Sequence, residues 1–202
     1  MMGNTPKTRE QMINETQAKL LVSARKSFST LGYAATSMDD FTASVGLTRG
    51  ALYHHFGSKK GLFAAVVREI DGEIDQALLH ISDQEPDAWK GLFKRGVAYL
   101  EMALTPEIQQ VLLQDAKAVL GCELMQIQMQ CMDSVSALLQ RGMDDGVIQE
   151  ANPETLGVLI NGSLMEAAFW VTQDAGNNRD VAKSRLKDAL HCWEVLMMGI
   201  RK

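Results

Sequence analysis

The residues with the clearest chemical purpose begin at position 48. Arg49 carries a guanidinium that can donate two hydrogen bonds to O6 and N7 of a guanine. Its neighbours Thr48, Gly50 and Ala51 are polar or small, which suits a helix whose first residues approach base edges in the major groove of DNA. A glycine costs a helix up to about 1 kcal/mol relative to alanine, and close approach to DNA would account for that cost. The alternative is that Arg49 is a solvated surface arginine.

Donors suited to phosphate surround this short segment. Thr36 and Ser37 carry hydroxyls at the start of a predicted helix, Tyr53 carries a phenol and Lys59 an ammonium group. Hydroxyls, lysines and the free amides of a helix N-terminus all bind phosphate oxygens without reading sequence. The spacing therefore predicts base-reading residues flanked by residues that hold the DNA backbone.

Catalytic and metal chemistry find no support in the sequence. The adjacent His54 and His55 would diverge by about 100° on a helix, which argues against a shared metal ion. No nucleophile motif or glycine-rich phosphate loop is present, so we expect neither an enzyme nor a cofactor or metal. Cys122, Cys131 and Cys192 lack metal-ligand spacing, and we expect buried, reduced thiols in a cytoplasmic protein.

The distribution of charge separates the two ends of the chain. Residues 1–60 contain eight Lys or Arg and four Asp or Glu, whereas the other 142 residues contain 12 and 21. The net charge of −5 therefore hides a basic N-terminal segment, as a protein that binds a polyanion needs. A solvated basic surface would explain the charge nearly as well. No apolar run approaches the ~18 residues of a membrane span, so no membrane contact is expected.

Helical periodicity runs through the whole chain and predicts an all-α protein with about nine helices. A first helix ends at Gly32, and a second begins after Ser37 and ends at Gly46. A third covers about residues 49–56, and a fourth begins after Ser58 and continues toward position 79. The later helices are predicted at about 87–104, 106–119, 122–145, 153–173 and 179–200. Two short helices joined by a glycine turn are typical of a helix-turn-helix.

The segments Gly32–Met38 and Val45–Lys59 resemble the TetR/AcrR family of bacterial repressors in residue type and spacing. The resemblance implies a three-helix DNA-binding head in residues 1–60 and a ligand-binding and dimerisation domain in residues 61–202. It also implies DNA-facing positions, which are Arg49, Ala51, Tyr53, His54, His55 and Lys59. Met38 stands where some members carry a base-reading arginine.

These observations together predict a repressor that binds a palindromic operator as a homodimer and is released by a small, largely apolar effector. Contacts with bases are expected from Thr48, Arg49, Gly50, Ala51 and His54. Contacts with phosphates are expected from Thr36, Ser37, Tyr53, His55 and Lys59. The two heads would lie about 34–36 Å apart, one turn of the double helix. A DNA binder that ignores ligands is the alternative within the same fold.

The C-terminal part carries the predicted effector pocket and dimer interface. Flexible methionines and aromatic rings suit an apolar ligand, and the predicted lining is Phe93, Met102, Met125, Met129, Met165 and Phe169. No buried charge stands out as a ligand anchor, although Glu166 and His191 are candidates. The last two helices are broadly apolar, and the predicted interface residues are Leu156, Ile160, Leu164, Ala168, Leu190, Trp193 and Met197. The alternative for both sets is ordinary core packing within one chain.

Overall fold

The computed structural model describes residues 8–44, 46, 48–129, 132–173 and 179–202, and these are helical almost throughout. This confirms the all-α prediction. Contacts divide the chain into two compact units, Met1–Val67 and Arg68–Lys202, called here the head and the body. The α-helices are α1 (Arg9–Ala35), α2 (Met38–Ser44), α3 (Arg49–Phe56), α4 (Lys59–Asp83), α5 (Ala88–Met102), α6 (Lys117–Leu120), α7 (Cys122–Met129), α8 (Met132–Asp144), α9 (Pro153–Thr172) and α10 (Arg179–Ile200). A π-helix, π1 (Ile108–Ala116), precedes α6.

The head packs its helices around a cluster of aromatic rings. The rings of Phe28 on α1 and Phe63 on α4 meet edge to face with centroids 5.0 Å apart, and Tyr33 contacts both. Gly32 interrupts α1 with φ 77°, a conformation that favours glycine, so the predicted end of the helix is a kink rather than a stop. Three aromatic side chains thereby anchor the element that leads into α2.

Two segments of the body differ from the prediction. The predicted helix at 106–119 contains π1, in which each amide bonds one residue further back than in an α-helix. The predicted helix at 122–145 is present as α7 and α8, and residues 130 and 131 between them lie outside the described residues. Hydrophobic periodicity of about 3.6 cannot distinguish these variants, because each keeps one apolar stripe.

The cysteines depart from the expectation of buried thiols. Cys122 and Cys192 are both free and exposed, and Cys131 lies outside the described residues. Cys122 is the first residue of α7, directly after Gly121 with its φ of 56°, and Cys192 lies within α10. Residue type alone did not predict that both cysteines occupy exposed positions.

The core of the body depends on two tryptophans that connect α5 with α10. Trp89 donates its indole N–H to the carbonyl of Met197 at 2.8 Å, and Trp193 donates to the carbonyl of Phe93 at 3.0 Å. The ring of Trp193 lies directly on Gly96, where a Cβ atom would overlap it. The absence of a side chain at position 96 is therefore what lets the two helices approach.

Gly96→Ala should destabilise the body. The added methyl has no room beside Trp193, and overpacking of this kind typically costs about 1–3 kcal/mol. Gly72→Ala on α4 is the matched control, because its Cβ would meet nothing within 4 Å and alanine favours a helix. Thermal or urea unfolding monitored by circular dichroism measures both. Equal stability of the two variants would contradict the close packing of α5 on α10.

Candidate DNA-binding surface and effector cavity

The helix-turn-helix is built by local caps on both sides of its turn. Ser37 accepts a hydrogen bond from the amide of Asp40 at the start of α2, at 3.4 Å. Gly46 in the turn has φ 66°, as the predicted turn requires, and Thr48 caps α3 by accepting from the amide of Ala51 at 3.2 Å. Val45 and Leu47, which belong to the same motif, lie outside the described residues. These bonds fix where α3 begins and hence which residues form its first turn.

The surface of α3 divides into an anchored side and an open side. Leu52 is fully buried in the head. Thr48, Arg49, Gly50 and His54 are exposed, and Ala51 is half-buried. Of the residues predicted to contact phosphate, Ser37 and Tyr53 are exposed while His55 and Lys59 are half-buried. The structure thus places nine of the ten residues predicted to contact DNA at or near one helix whose first turn is exposed.

Thr36 is the exception, and its predicted contact with phosphate is wrong for the side chain. It is only 3% exposed, and its hydroxyl donates to the carbonyl of Gly32 at 2.7 Å. The kink at Gly32 leaves that carbonyl to be satisfied locally, and Thr36 satisfies it. The sequence could not distinguish this role, because a threonine just before a helix can cap the helix, bind phosphate or donate to the carbonyl four residues earlier.

The side chain of Arg49 already has a partner on the neighbouring helix. Its Nε lies 2.6 Å from Oδ1 of Asp39 in the first turn of α2, and both groups are more than half exposed. The pair uses Nε, whereas a bidentate contact with guanine can use the two Nη atoms. Asp39 therefore holds the guanidinium at the surface in a defined direction, a role that sequence reasoning missed.

Lys59 and the two histidines are also held by neighbours. The ammonium of Lys59 donates to the carbonyl of Ala34 at 3.4 Å and lies 4.5 Å from the centroid of the Tyr33 ring. The rings of His54 and His55 are stacked, with centroids 5.4 Å apart, and do not diverge as helical spacing alone predicts. Rotation about the side-chain bonds brings the rings parallel although the two Cα–Cβ bonds point in different directions.

The body contains a cavity of about 430 Å³ with a mainly apolar wall. Five of the six predicted pocket residues line it, namely Met102, Met125, Met129, Met165 and Phe169. Phe93 does not, because its ring stacks on Trp89 at 5.6 Å and packs against the core of the body. The helix π1 adds Ile108, Leu112 and Leu113 to the wall. Of the two candidate anchors, Glu166 lines the cavity, whereas His191 is not among its lining residues.

A small recess of about 50 Å³, with charged groups in a mainly apolar wall, adjoins this cavity and contains a buried charge that the sequence did not reveal. Arg95 is 6% exposed and lines the recess with Asp71 and Asp75. Its Nη2 lies 2.5 Å from Oδ1 of Asp75. The sequence did hold a signal, since Arg95 follows Leu92 by three residues and so falls within the apolar stripe of α5.

The predicted interface residues occupy the wrong faces of α9 and α10. Ile160, Leu164, Ala168, Trp193 and Met197 are all less than 10% exposed within a single chain. Leu156 and Leu190 are half-buried and pack against the same core. These seven side chains therefore hold the subunit together. The large exposed apolar residues of these helices that lie outside the cavity wall are Leu159 and Trp170 on α9 and Val181, Val195, Leu196 and Met198 on α10. Val158 is also exposed, but it lines the cavity.

Comparison with known proteins gives separate matches for the head and the body. Residues 20–66 match the model of the bacterial regulatory proteins of the tetR family, and residues 89–199 match the tetracyclin repressor-like C-terminal domain. A crystal structure of a TetR-family transcriptional regulator from Pectobacterium atrosepticum is 49% identical, with a TM-score of 0.86 over 96% of this chain and 98% of that one.

Two curated relatives extend this result. The TetC protein of transposon Tn10 from Escherichia coli is 26% identical over 162 residues, which are 79% of this chain and 82% of TetC. The transcriptional repressor AcnR of Corynebacterium jeikeium is 34% identical over 64 residues, 32% of this chain and 34% of AcnR. With a helix-turn-helix head, a helical body and matches in both, the chain belongs to the TetR family of DNA-binding transcriptional regulators and is not an enzyme.

Proposed function

We propose that this TetR-family member is a cytoplasmic homodimeric repressor that binds a palindromic operator through its head and is released when a small, largely apolar effector enters its body. The observation that carries the proposal is the cavity of about 430 Å³ in the body. Its volume falls within the ~300–1,000 Å³ of small-molecule sites. Its methionines adapt to ligands of varied shape.

Operator reading is assigned to the exposed first turn of α3. A Cβ atom at Gly50 would meet only Thr48 Oγ1, at 3.6 Å, so packing within the protein does not require glycine there. Glycine at that position lowers helix stability, which supports a requirement from outside the chain, such as close approach to a base pair. Arg49 reads bases, and Ser37, Tyr53 and Lys59 hold the backbone of the DNA.

Dimerisation is assigned to the exposed apolar faces of α9 and α10, in place of the buried faces predicted from sequence. Leu159 is 66% exposed and Leu196 is 56% exposed. By length and composition α9 could also cross a membrane, but a core helix passes the same test, and one such helix among the described residues is weak evidence for a span. Two such helices from each subunit form a four-helix interface that removes these side chains from water.

Release follows from the continuity of α4, which belongs to both units. Phe63 on this helix joins the aromatic cluster of the head, and Ile74, about three turns later, lines the cavity. An effector can lower DNA affinity only by as much as it prefers the conformation that binds DNA poorly. An effector that displaces Ile74 would move α4, and the same helix carries Phe63 of the head. The movement in the body would therefore be transmitted to the head along one helix.

Arg49→Ala and Lys59→Ala should weaken DNA binding in different ways. Without Arg49, about 1–3 kcal/mol of discrimination at one base pair is lost, so affinities for selected and scrambled duplexes converge. Without Lys59, both affinities fall together, and the slope of log K against log salt decreases by about 1. Fluorescence anisotropy with duplexes selected from a random library measures both effects.

Lys183→Ala is the control for this pair, because it removes the same charge from an exposed position on α10. We expect it to change neither the discrimination nor the salt slope. Unaltered binding by both head variants, with melting temperatures like that of the unmodified protein, would refute the assignment of this surface to DNA.

Leu159→Glu should convert the dimer to a monomer, because it places a charge in an apolar interface where no partner is provided. Val22→Glu is the matched control, since Val22 on α1 is 67% exposed, as Leu159 is 66% exposed. Light scattering coupled to size exclusion measures both masses. A dimeric Leu159→Glu variant, or a monomeric unmodified protein, would show that this face is not the interface.

Gly162→Phe should abolish the response to effector while leaving DNA binding intact. Gly162 lines the cavity and a Cβ there would meet nothing within 4 Å, so a larger side chain can occupy the ligand's space. Gly162→Ala is the control that leaves most of the volume free. The measurement is release of DNA, and a rise in melting temperature, on adding the apolar probe N-phenyl-1-naphthylamine. If the probe neither binds nor releases DNA in any form, a ligand-independent regulator is the better description.

A further inference from the structure

The recess beside the cavity contains a buried cation, Arg95, with one donor that has no partner in the part of the chain that the structure describes. Nη2 of Arg95 donates to Oδ1 of Asp75 at 2.5 Å and to Oγ of Ser134 at 2.9 Å. Its Nη1 is buried and has no hydrogen-bond partner among the described residues. Buried polar groups in folded proteins almost always have partners, and a charged donor without one is costly. The recess is therefore suited to a group that supplies an acceptor.

The charges around the recess limit what that group can be. Asp71 and Asp75 contribute two carboxylates against the single guanidinium of Arg95. An effector carboxylate would add a further negative charge in a poorly solvated site, and an ammonium would be placed beside Arg95. Burial raises the pKa of the Tyr99 phenol and the charge of Asp71 raises it further, so this wall residue stays neutral. A neutral polar group is the one that these surroundings accept.

The size and position of the recess define the rest of the ligand. Six residues line both the recess and the large cavity, among them Tyr99, Asn161 and Met165. The recess of about 50 Å³ has room for a small group, whereas the body of a ligand must lie in the cavity of about 430 Å³. A hydroxyl is both small enough for the recess and neutral. Its oxygen can accept a hydrogen bond from Arg95 while its hydrogen donates to a carboxylate of the recess.

We propose that the Arg95 recess binds the hydroxyl of a neutral alcohol or phenol whose apolar body fills the adjoining cavity. This inference rests on the proposed effector response and specifies its chemistry. Arg95 then selects among apolar molecules of the same shape, and Asp75 and Ser134 position its guanidinium.

The test compares matched probes on the purified protein by displacement of N-phenyl-1-naphthylamine. The probes are 4-butylphenol, 4-butyltoluene, 4-butylbenzoate and 4-butylbenzylammonium, which share one body and differ in one group. We expect 4-butylphenol to bind at least as tightly as the more apolar 4-butyltoluene and about tenfold or more tighter than either ion. Hydrogen bonds to charged groups change affinity by about ten- to a hundredfold.

Arg95→Lys supplies the second measurement. It keeps the positive charge beside Asp75 but removes the second guanidinium nitrogen, so the preference for 4-butylphenol over 4-butyltoluene should fall at least about tenfold. The affinity for 4-butyltoluene should not change. Leu113→Ala, in the apolar wall of the cavity, is the control and should weaken both probes alike. If Arg95→Lys fails to fold, the four probes on the unmodified protein still decide the matter.

Three results would overturn the proposal. A preference for 4-butyltoluene matching its partition into an apolar solvent would mean that the recess holds water only. Tighter binding of the benzoate or the ammonium would mean that the site selects a charge. In both cases displacement of the fluorescent probe still supports effector binding in the cavity, so the proposed function survives. If the fluorescent probe itself does not bind, both proposals fail together.

Discussion

The packing of Leu52 into the head is the contact on which the proposed reading of DNA depends. The helix that carries it, α3, has only eight residues, and helices of that length are unstable in water without tertiary contacts. Leu52 is fully buried while Arg49 and Gly50 remain exposed, so one side chain fixes which face of the helix is open. The cap at Thr48 and the ion pair between Arg49 and Asp39 then set where the helix begins and how its guanidinium is held.

The head could be predicted from its sequence because its constraints are local. Glycines with positive φ, such as Gly46 and Gly57, and hydroxyl caps, such as Ser37 and Thr48, act within three or four residues. Those signals predicted the ends of the two short helices α2 and α3, and the start of α4, to within about two residues. Thr36 was misassigned because its hydroxyl donates to the carbonyl of Gly32, at a kink four residues earlier that the sequence had marked as the end of the helix.

The body was harder to predict because its helices are apolar on more than one face. Both Ile160 and Leu159 lie on α9, one buried and one two-thirds exposed, and hydrophobicity alone does not distinguish them. The sequence therefore did not distinguish the faces of α9 and α10 that pack within the subunit from the faces that stay exposed. The placement of Phe93 in the pocket was wrong, and the buried charge of Arg95 was missed, for the same reason. Whether a side chain lies in the core, the cavity or the recess depends on contacts with residues distant in the chain, such as Trp193 and Asp75.

Three features of this chain lower the stability of the isolated subunit, and each marks a surface proposed to bind something. Gly50 weakens α3 where DNA would approach, and Leu159 exposes an apolar side chain where a second subunit would cover it. Arg95 leaves a buried donor unpaired next to an apolar cavity. Interior cavities and buried donors without a partner are uncommon because they cost free energy, so the proposed partners would each offset such a cost. The isolated subunit without ligand is thus least stable at the three surfaces where DNA, a second subunit and an effector are proposed to bind.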